Sequence, residues 1–385
     1  MNRIYFDNAA TTPLHPDVIQ AMTEAMEMHY GNPSSIHKEG RTSRSVVEQA
    51  RRTVAQLLGA SIGEIFFTSG GTESSNMALK CSVRDLGVKR IISSKIEHHC
   101  VLHTLEQLEK NTDVEVDWVN VNAQGHVDTG HLKTLLETDK GKTLVSLMHV
   151  NNEIGTMIDL DEISAICEEH NALFHTDTVQ SVAFYPIDVS KTKISFLTGS
   201  AHKFNGPKGV GFIYINGDNH IAPFIDGGAQ ERNMRGGTEN IYGIVGMAKA
   251  LEVALKDLDA RKSYIKGLRD YLADQLQANF EHIEFVGDPM GRGANKILSV
   301  GFPPSPKAEL LLLNLDIAGV SASGGSACSS GAEVGSHVLE TLKGADNTMK
   351  MVRFSFGYQN TKEEVDQVVE KLKQIIPAKE SAEAN

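Results

Sequence analysis

After about residue 60 the chain alternates short apolar runs with amphipathic stretches. RIISS (90–94), VEVDWVNV (114–121), KTLVSLMHV (142–150), ALFHTDTV (172–179), KISFLTGS (193–200) and GVGFIYI (209–215) are rich in β-branched and aromatic residues, which predicts strands. Between them VLHTLEQLEK (101–110), HLKTLLE (131–137) and LDEISAICEEHN (160–171) repeat apolar residues at helical spacing. Alternation of this kind predicts an α/β fold with a mainly parallel sheet covered by helices on both faces. Ligands of such sheets collect beyond the C-terminal ends of the strands, so the polar residues just past each strand carry the functional interest.

From about Ile244 the pattern changes. Residues 247–276 form one long helical stretch, with a break expected near Leu258 or Asp259. Isolated strands follow at ILSVGF (297–302), GVSAS (319–323) and MVRFSFG (351–357), with helices at AELLLLNLD (308–316) and EEVDQVVEKLKQII (363–376). The division expected is a large domain over 16–250 and a smaller α+β domain built from 1–15 and 251–385.

Composition narrows the function. The 385 residues are 41% hydrophobic and 22% charged, with a net charge of −12 that argues against nucleic-acid binding. No apolar run approaches the roughly 18 residues of a membrane span, and MNRIYFDNAATTP lacks a signal-peptide pattern, so a cytoplasmic protein is expected. The four cysteines, Cys81, Cys100, Cys167 and Cys328, contain no CxxC pair, which speaks against a zinc knuckle or redox dithiol. Cys81 and Cys167 fall in helical patterns and read as buried. Cys328 stands in GGSACSSGAEVG (324–335), among small polar residues that offer nothing to bury it, and reads as available to react.

Three segments carry the chemistry. SGGTESSN (69–76) follows an apolar run and opens a helix, so Gly71 and Thr72 offer backbone N–H groups to a phosphate; the plain alternative is a helix cap with Thr72 as cap residue. HTDTVQS (175–181) sets Asp177 and Gln180 at a strand end, where an acid could hold a metal, act as a base, pair with a protonated ring nitrogen or merely cap a turn. TGSAHKFNGPKGVG (198–211) sets Lys203 just past a strand beside Ser200 and His202; a partly desolvated lysine there forms a Schiff base with an aldehyde. A phosphate nest, an acid and an amine together are what pyridoxal 5'-phosphate requires. His98 in IEHHCVLH would stack on such a ring, whereas a metal site on the adjacent Glu97, His98, His99 and Cys100 lacks suitable spacing, so no metal is expected.

These segments, with YFDNAATTP, YGNPSSIH, MHVNNEIG, QERNMRGGTEN, GSACSSG and VRFSFG, resemble the class V branch of fold-type I pyridoxal-phosphate enzymes, and within it the group I NifS/IscS-like cysteine desulfurases. The resemblance runs over essentially the whole chain. It implies Lys203 as the Schiff-base lysine that also moves the Cα proton, Asp177 on the ring nitrogen, Gln180 on the ring hydroxyl and His98 stacked on the ring. Gly71, Thr72, Ser200 and His202 would hold the phosphate, and Thr238 would reach the phosphate of the neighbouring subunit, implying a homodimer with shared active sites. Asn152, also a cofactor contact, and Arg353 would bind the carboxylate of L-cysteine. Cys328 would take the sulfur as a persulfide and pass it to an acceptor or iron–sulfur scaffold protein, with alanine released. Ala229 and Asn233 depart from glycines common in the family.

Other readings are a selenocysteine lyase, an aminotransferase on the same scaffold, a partner-binding protein without turnover, and a zinc hydrolase using EHHC. An aminotransferase has no need of Cys328, and a retired site tends to lose costly buried polar groups such as these.

Overall fold

The computed structural model describes residues 3–325 and 336–377. In chain order the strands are β1 (Ile4–Tyr5), β2 (Ile65–Thr68), β3 (Arg90–Ser93), β4 (Glu115–Trp118), β5 (Thr143–Ser146), β6 (Leu173–Asp177), β7 (Phe196–Ser200), β8 (Gly211–Ile215), β9 (Glu284–Val286), β10 (Ile297–Phe302), β11 (Val320–Ser321) and β12 (Lys350–Ser355). A seven-stranded sheet takes the order β2-β8-β7-β6-β5-β3-β4. Strands β4, β3, β5, β6 and β7 pair in parallel, as expected. The GVGFIYI run forms β8, which lies antiparallel to both β7 and β2. The connection 201–210 is too short for the crossover that a parallel return requires.

Every residue of β2, β3, β5, β7 and β8 is buried, because helices cover both faces. Alternate side chains divide between two cores. Phe66, Ile91, Leu144 and Phe196 meet Met77, Leu79, Val101 and Leu105 on one face. Phe67, Ile92, Val145 and Leu197 join a larger core with Val47, Val54, Ile244 and Leu251 on the other.

The long helical stretch is two helices, Ile241–Lys256 and Leu258–Asn279, joined at Asp257. Two further helices, Pro16–Met28 and Lys38–Leu58, precede residue 60, where the pattern predicted nothing. Lys38–Leu58 is mostly polar and buries Val47, Ala50, Val54, Ala55 and Leu58 at helical spacing. In the C-terminal third, β12, β10 and β9 form a three-stranded antiparallel sheet, and β1 pairs in parallel with β11. Among the described residues no helix is long and apolar enough to cross a membrane.

Close backbone approach fixes the turn after β2. Gly70 takes φ 153° with ψ −175°, a conformation essentially confined to glycine. A Cβ on Gly211 of β8 would lie 2.5 Å from the Gly199 carbonyl oxygen and 2.6 Å from the Gly70 Cα. Gly211→Ala is therefore expected to lower stability by about 1–3 kcal/mol and to displace the start of the helix Gly71–Leu86, measurable by chemical denaturation and by cofactor titration.

Candidate active site

A cavity of about 360 Å³ opens where β6 and β7 end and the helix Gly71–Leu86 begins. It brings together Gly71, Thr72, His98, Asn152, Asp177, Gln180, Ser200, His202, Lys203 and Arg353. Thr238 stands apart, beside a separate cavity of about 230 Å³. Cys328 lies outside the described residues.

Lys203 closes the 3-10 turn Ala201–Lys203 that directly follows β7. Its Nζ donates to the carbonyl oxygens of Ala9 at 2.8 Å and Ala10 at 2.7 Å. The Gln180 amide also donates to the Ala9 oxygen, at 2.8 Å, while its own buried Oε1 has no partner among the described residues. Ala9 and Ala10 thus belong to the site although no role was expected for them; the DNAATTP motif was the signal. Thr12 ties this N-terminal segment down by donating its N–H and hydroxyl to the His202 carbonyl, each at 2.9 Å.

Asp177 ends β6 and is buried. Burial pushes its carboxyl up to about 6, against the opposing pull of the Val179 N–H at 2.9 Å and the Lys203 ammonium. His98 caps the helix His99–Asn111, with Nδ1 accepting the Cys100 N–H at 3.1 Å. That bond leaves the ring proton on Nε2. Burial, then the Lys203 charge and neighbouring His99, His337 and His103, hold His98 down at about 4, so it is a neutral ring at neutral pH. His202 is likewise held at about 4, first by burial and then by Lys203, Lys208 and Lys296.

The cap of the helix Gly71–Leu86 is Gly70, not Thr72, and no side chain caps it. The first-turn N–H groups therefore stand at a positive helix end without a built-in acceptor, which suits a phosphate. A Cβ at Gly71 would meet Val179 Cγ2 at 2.6 Å, so only glycine lets the helix start come this close to the cavity wall.

Arg353 on β12 is buried; its Nη1 donates to the Asn152 carbonyl at 2.7 Å and its Nη2 to Asp7 at 3.0 Å, while its buried Nε has no partner among the described residues. A guanidinium offers five donors, so capacity remains for an anion.

Cys100 also lines the cavity, but burial, then the nearby Asp177 charge, raises its thiol far above the usual range. Burial raises Cys81 to about 11 and Cys167 to about 12. All the described cysteines are thus poor nucleophiles. Among the described residues no group of three or more His, Cys, Asp or Glu could hold a metal ion.

The family model described as aminotransferase class-V matches residues 4–368. The chain belongs to this family. It is 42% identical over 393 residues to a protein named cysteine desulfurase IscS from Dictyoglomus turgidum, covering 99% of this chain and 98% of that one. It is 43% identical over 378 residues to a cysteine desulfurase IscS from Methanosarcina thermophila, covering 97% and 92%. A solved structure titled NIFS-like protein superposes with a TM-score of 0.89 at 35% identity, covering 97% of this chain and 99% of that one. The family resemblance read from the motifs and the expected fold class both hold.

Membership of the class-V family implies dependence on pyridoxal phosphate, and the cavity fits that group. It supplies a helix start that no side chain caps, a buried acid, a neutral imidazole, a strand-end amine and, at Gln180, an amide oxygen without a partner among the described residues.

Asp177 also has a stability signature without cofactor. Its folded carboxyl holds a proton more tightly than the unfolded one, so stability from this group is present at low pH and is lost as pH rises through about 6. Apo Asp177→Asn should match wild type near pH 4 and exceed it above pH 7, by on the order of 3 kcal/mol, in urea unfolding at the two pH values.

Proposed function

We propose that the chain is a pyridoxal-phosphate-dependent cysteine desulfurase that converts L-cysteine to L-alanine and collects the sulfur as a persulfide on Cys328. The observation that carries this reading is the convergence of Lys203, Asp177, His98 and the uncapped helix start at Gly71 on one cavity. Relatives named for this activity match nearly all of the chain.

When bound, pyridoxal phosphate supplies an aldehyde that captures amines and a protonated ring that draws electrons from the substrate's Cα. Lys203 would hold the aldehyde and, once displaced by the substrate amine, move the Cα proton from its place at the cavity wall. Asp177, as a carboxylate, would keep a proton on the ring nitrogen, and Gln180 would bond the ring hydroxyl. His98 would stack its neutral ring on the cofactor with Nε2–H available for proton transfer. Gly71, Thr72, Ser200 and His202 would take the phosphate. Asn152 and Arg353 would clamp the substrate carboxylate and orient the sulfur.

Cys328, as thiolate, would attack that sulfur. An S–S bond forms while the C–S bond breaks, the electron pair stays with the carbon skeleton, and protonation there gives alanine. The raised thiols of Cys81, Cys100 and Cys167 support assigning this step to Cys328. We further propose a homodimer in which Thr238 reaches the partner's phosphate, with a sulfur-accepting protein as the onward partner. The pairing of β1 with β11 supports assigning residues 1–15 to the small domain with 251–385. The absence of a long apolar helix among the described residues is compatible with a cytoplasmic enzyme.

Purified protein should be yellow, and L-cysteine should shift its visible band; with an added thiol reductant to release the persulfide sulfur as sulfide, alanine and sulfide should form in equal amounts. Lys203→Ala is expected to remove colour and turnover together, whereas Cys328→Ala should keep the colour and the band shift but release no sulfide. Sulfide at the wild-type rate from Cys328→Ala would sink the persulfide assignment. A yellow protein active on selenocysteine alone would redirect the substrate.

A further inference from the structure

The segment 229–238 adopts a conformation that its residues disfavour. Glu231, Arg232 and Asn233 stand in succession in the left-handed region, at φ 44°, 56° and 65°. There an L-residue's Cβ crowds its own carbonyl, and asparagine tolerates the crowding better than most. Asn233 can therefore occupy a position where the family resemblance would put glycine. Strain of this kind persists only where surrounding contacts over-determine the backbone.

Those contacts are present. The Glu231 carboxylate is buried and accepts two bonds from Arg51, at 2.7 and 2.9 Å, and a third from the Phe67 N–H of β2 at 2.8 Å. Arg51 is buried too and lies over the Phe67 ring, 4.5 Å from its centroid. Arg232 donates to the Ile62 carbonyl at 2.7 Å and to Glu48 at 3.0 Å. Arg235 sets Nε and Nη2 on the Glu73 carboxylate at 2.9 and 3.2 Å. Glu73 belongs to the first turn of the helix whose Gly71 and Thr72 line the cavity, and it also accepts the Ser69 N–H at 2.9 Å.

None of these charged groups lines the cavity around Lys203, and the proposed chemistry uses none of them. At the end of the pinned segment stand Gly237, at φ 105°, and exposed Thr238.

We infer that Arg51–Glu231 and Glu73–Arg235 are positioning pairs that fix segment 229–238 so that Thr238 is already in place to donate to the cofactor phosphate of the partner subunit. The inference rests on the pyridoxal-phosphate homodimer proposed above. A threonine on a free loop would lose backbone and side-chain freedom on meeting a phosphate, and that loss would weaken binding; a segment held beforehand avoids it. The Glu73–Arg235 pair adds a second consequence. It joins the segment a subunit lends to its partner to the helix start that serves its own cavity.

The test is a double-mutant cycle on cofactor affinity. Apo protein is titrated with pyridoxal phosphate, and in parallel with pyridoxal, which lacks the phosphate. Glu231→Gln is expected to weaken pyridoxal phosphate binding about tenfold, the loss of one hydrogen bond to a charged oxygen, and to leave pyridoxal binding unchanged. In a Thr238→Ala background the same substitution should cost nothing further, because its effect passes through Thr238. Arg232→Gln, at a partly exposed contact that ties the same segment to Ile62 and Glu48 alone, gives the same cycle should Glu231→Gln fail to fold. Additive losses, or equal losses with pyridoxal, would show a merely structural role and overturn the inference. A wild-type chain that takes up neither compound would overturn the functional reading and this inference with it.

Discussion

Asp177 ends β6 and Lys203 stands just past the parallel neighbour β7, an acid and an amine withdrawn from water in one cavity. Removing such groups from water is costly unless each finds partners, and a direct, saturated ion pair would leave neither available for chemistry. The structure satisfies them separately. Lys203 is held on the carbonyls of Ala9 and Ala10, while Asp177 takes the Val179 N–H. That solution requires the N-terminal segment to cross the cavity. The crossing is secured by Thr12 on His202, by Gln180 on Ala9, by the β1–β11 pairing and by Asp7 on Arg353.

The wall around this pair is polar but largely uncharged. Its two imidazoles, His98 and His202, are driven by burial well below the usual range, and Arg353 adds a cation at one side. An enzyme that stabilises charge on a bound cofactor gains from neutral, preorganised hydrogen-bonding groups, since fixed counter-charges would favour one state of the reaction over the others. The same burial silences the described cysteines.

The periodicity of apolar runs was enough to indicate the parallel sheet, its helical cover and the strand ends where Asp177 and Lys203 stand, because alternation and side-chain period are local properties. The alternation of apolar runs carries no strand direction, and the reversal of β8 follows instead from the short connection 201–210 that precedes it. The helix Lys38–Leu58 does carry its apolar residues at helical spacing, but what it packs against, Ile241–Lys256, lies far along the chain and is not a local property. Motifs named most of the cavity residues, since chemistry demands particular side chains at particular strand ends. The roles of Ala9 and Ala10 escaped because a backbone carbonyl leaves no mark in residue identity.

The sequence by itself determined which groups the protein has to work with: an amine, an acid, an imidazole, a glycine-rich helix start and one cysteine among small residues. Only the tertiary structure decided their state. Desolvation raises Asp177 and lowers His98 through atoms supplied by distant segments, and the left-handed run at 231–233 exists because Arg51 and Phe67 hold Glu231 from more than a hundred positions away. Residue type is local, whereas dielectric, hydrogen-bond partners and backbone strain are properties of the packed whole.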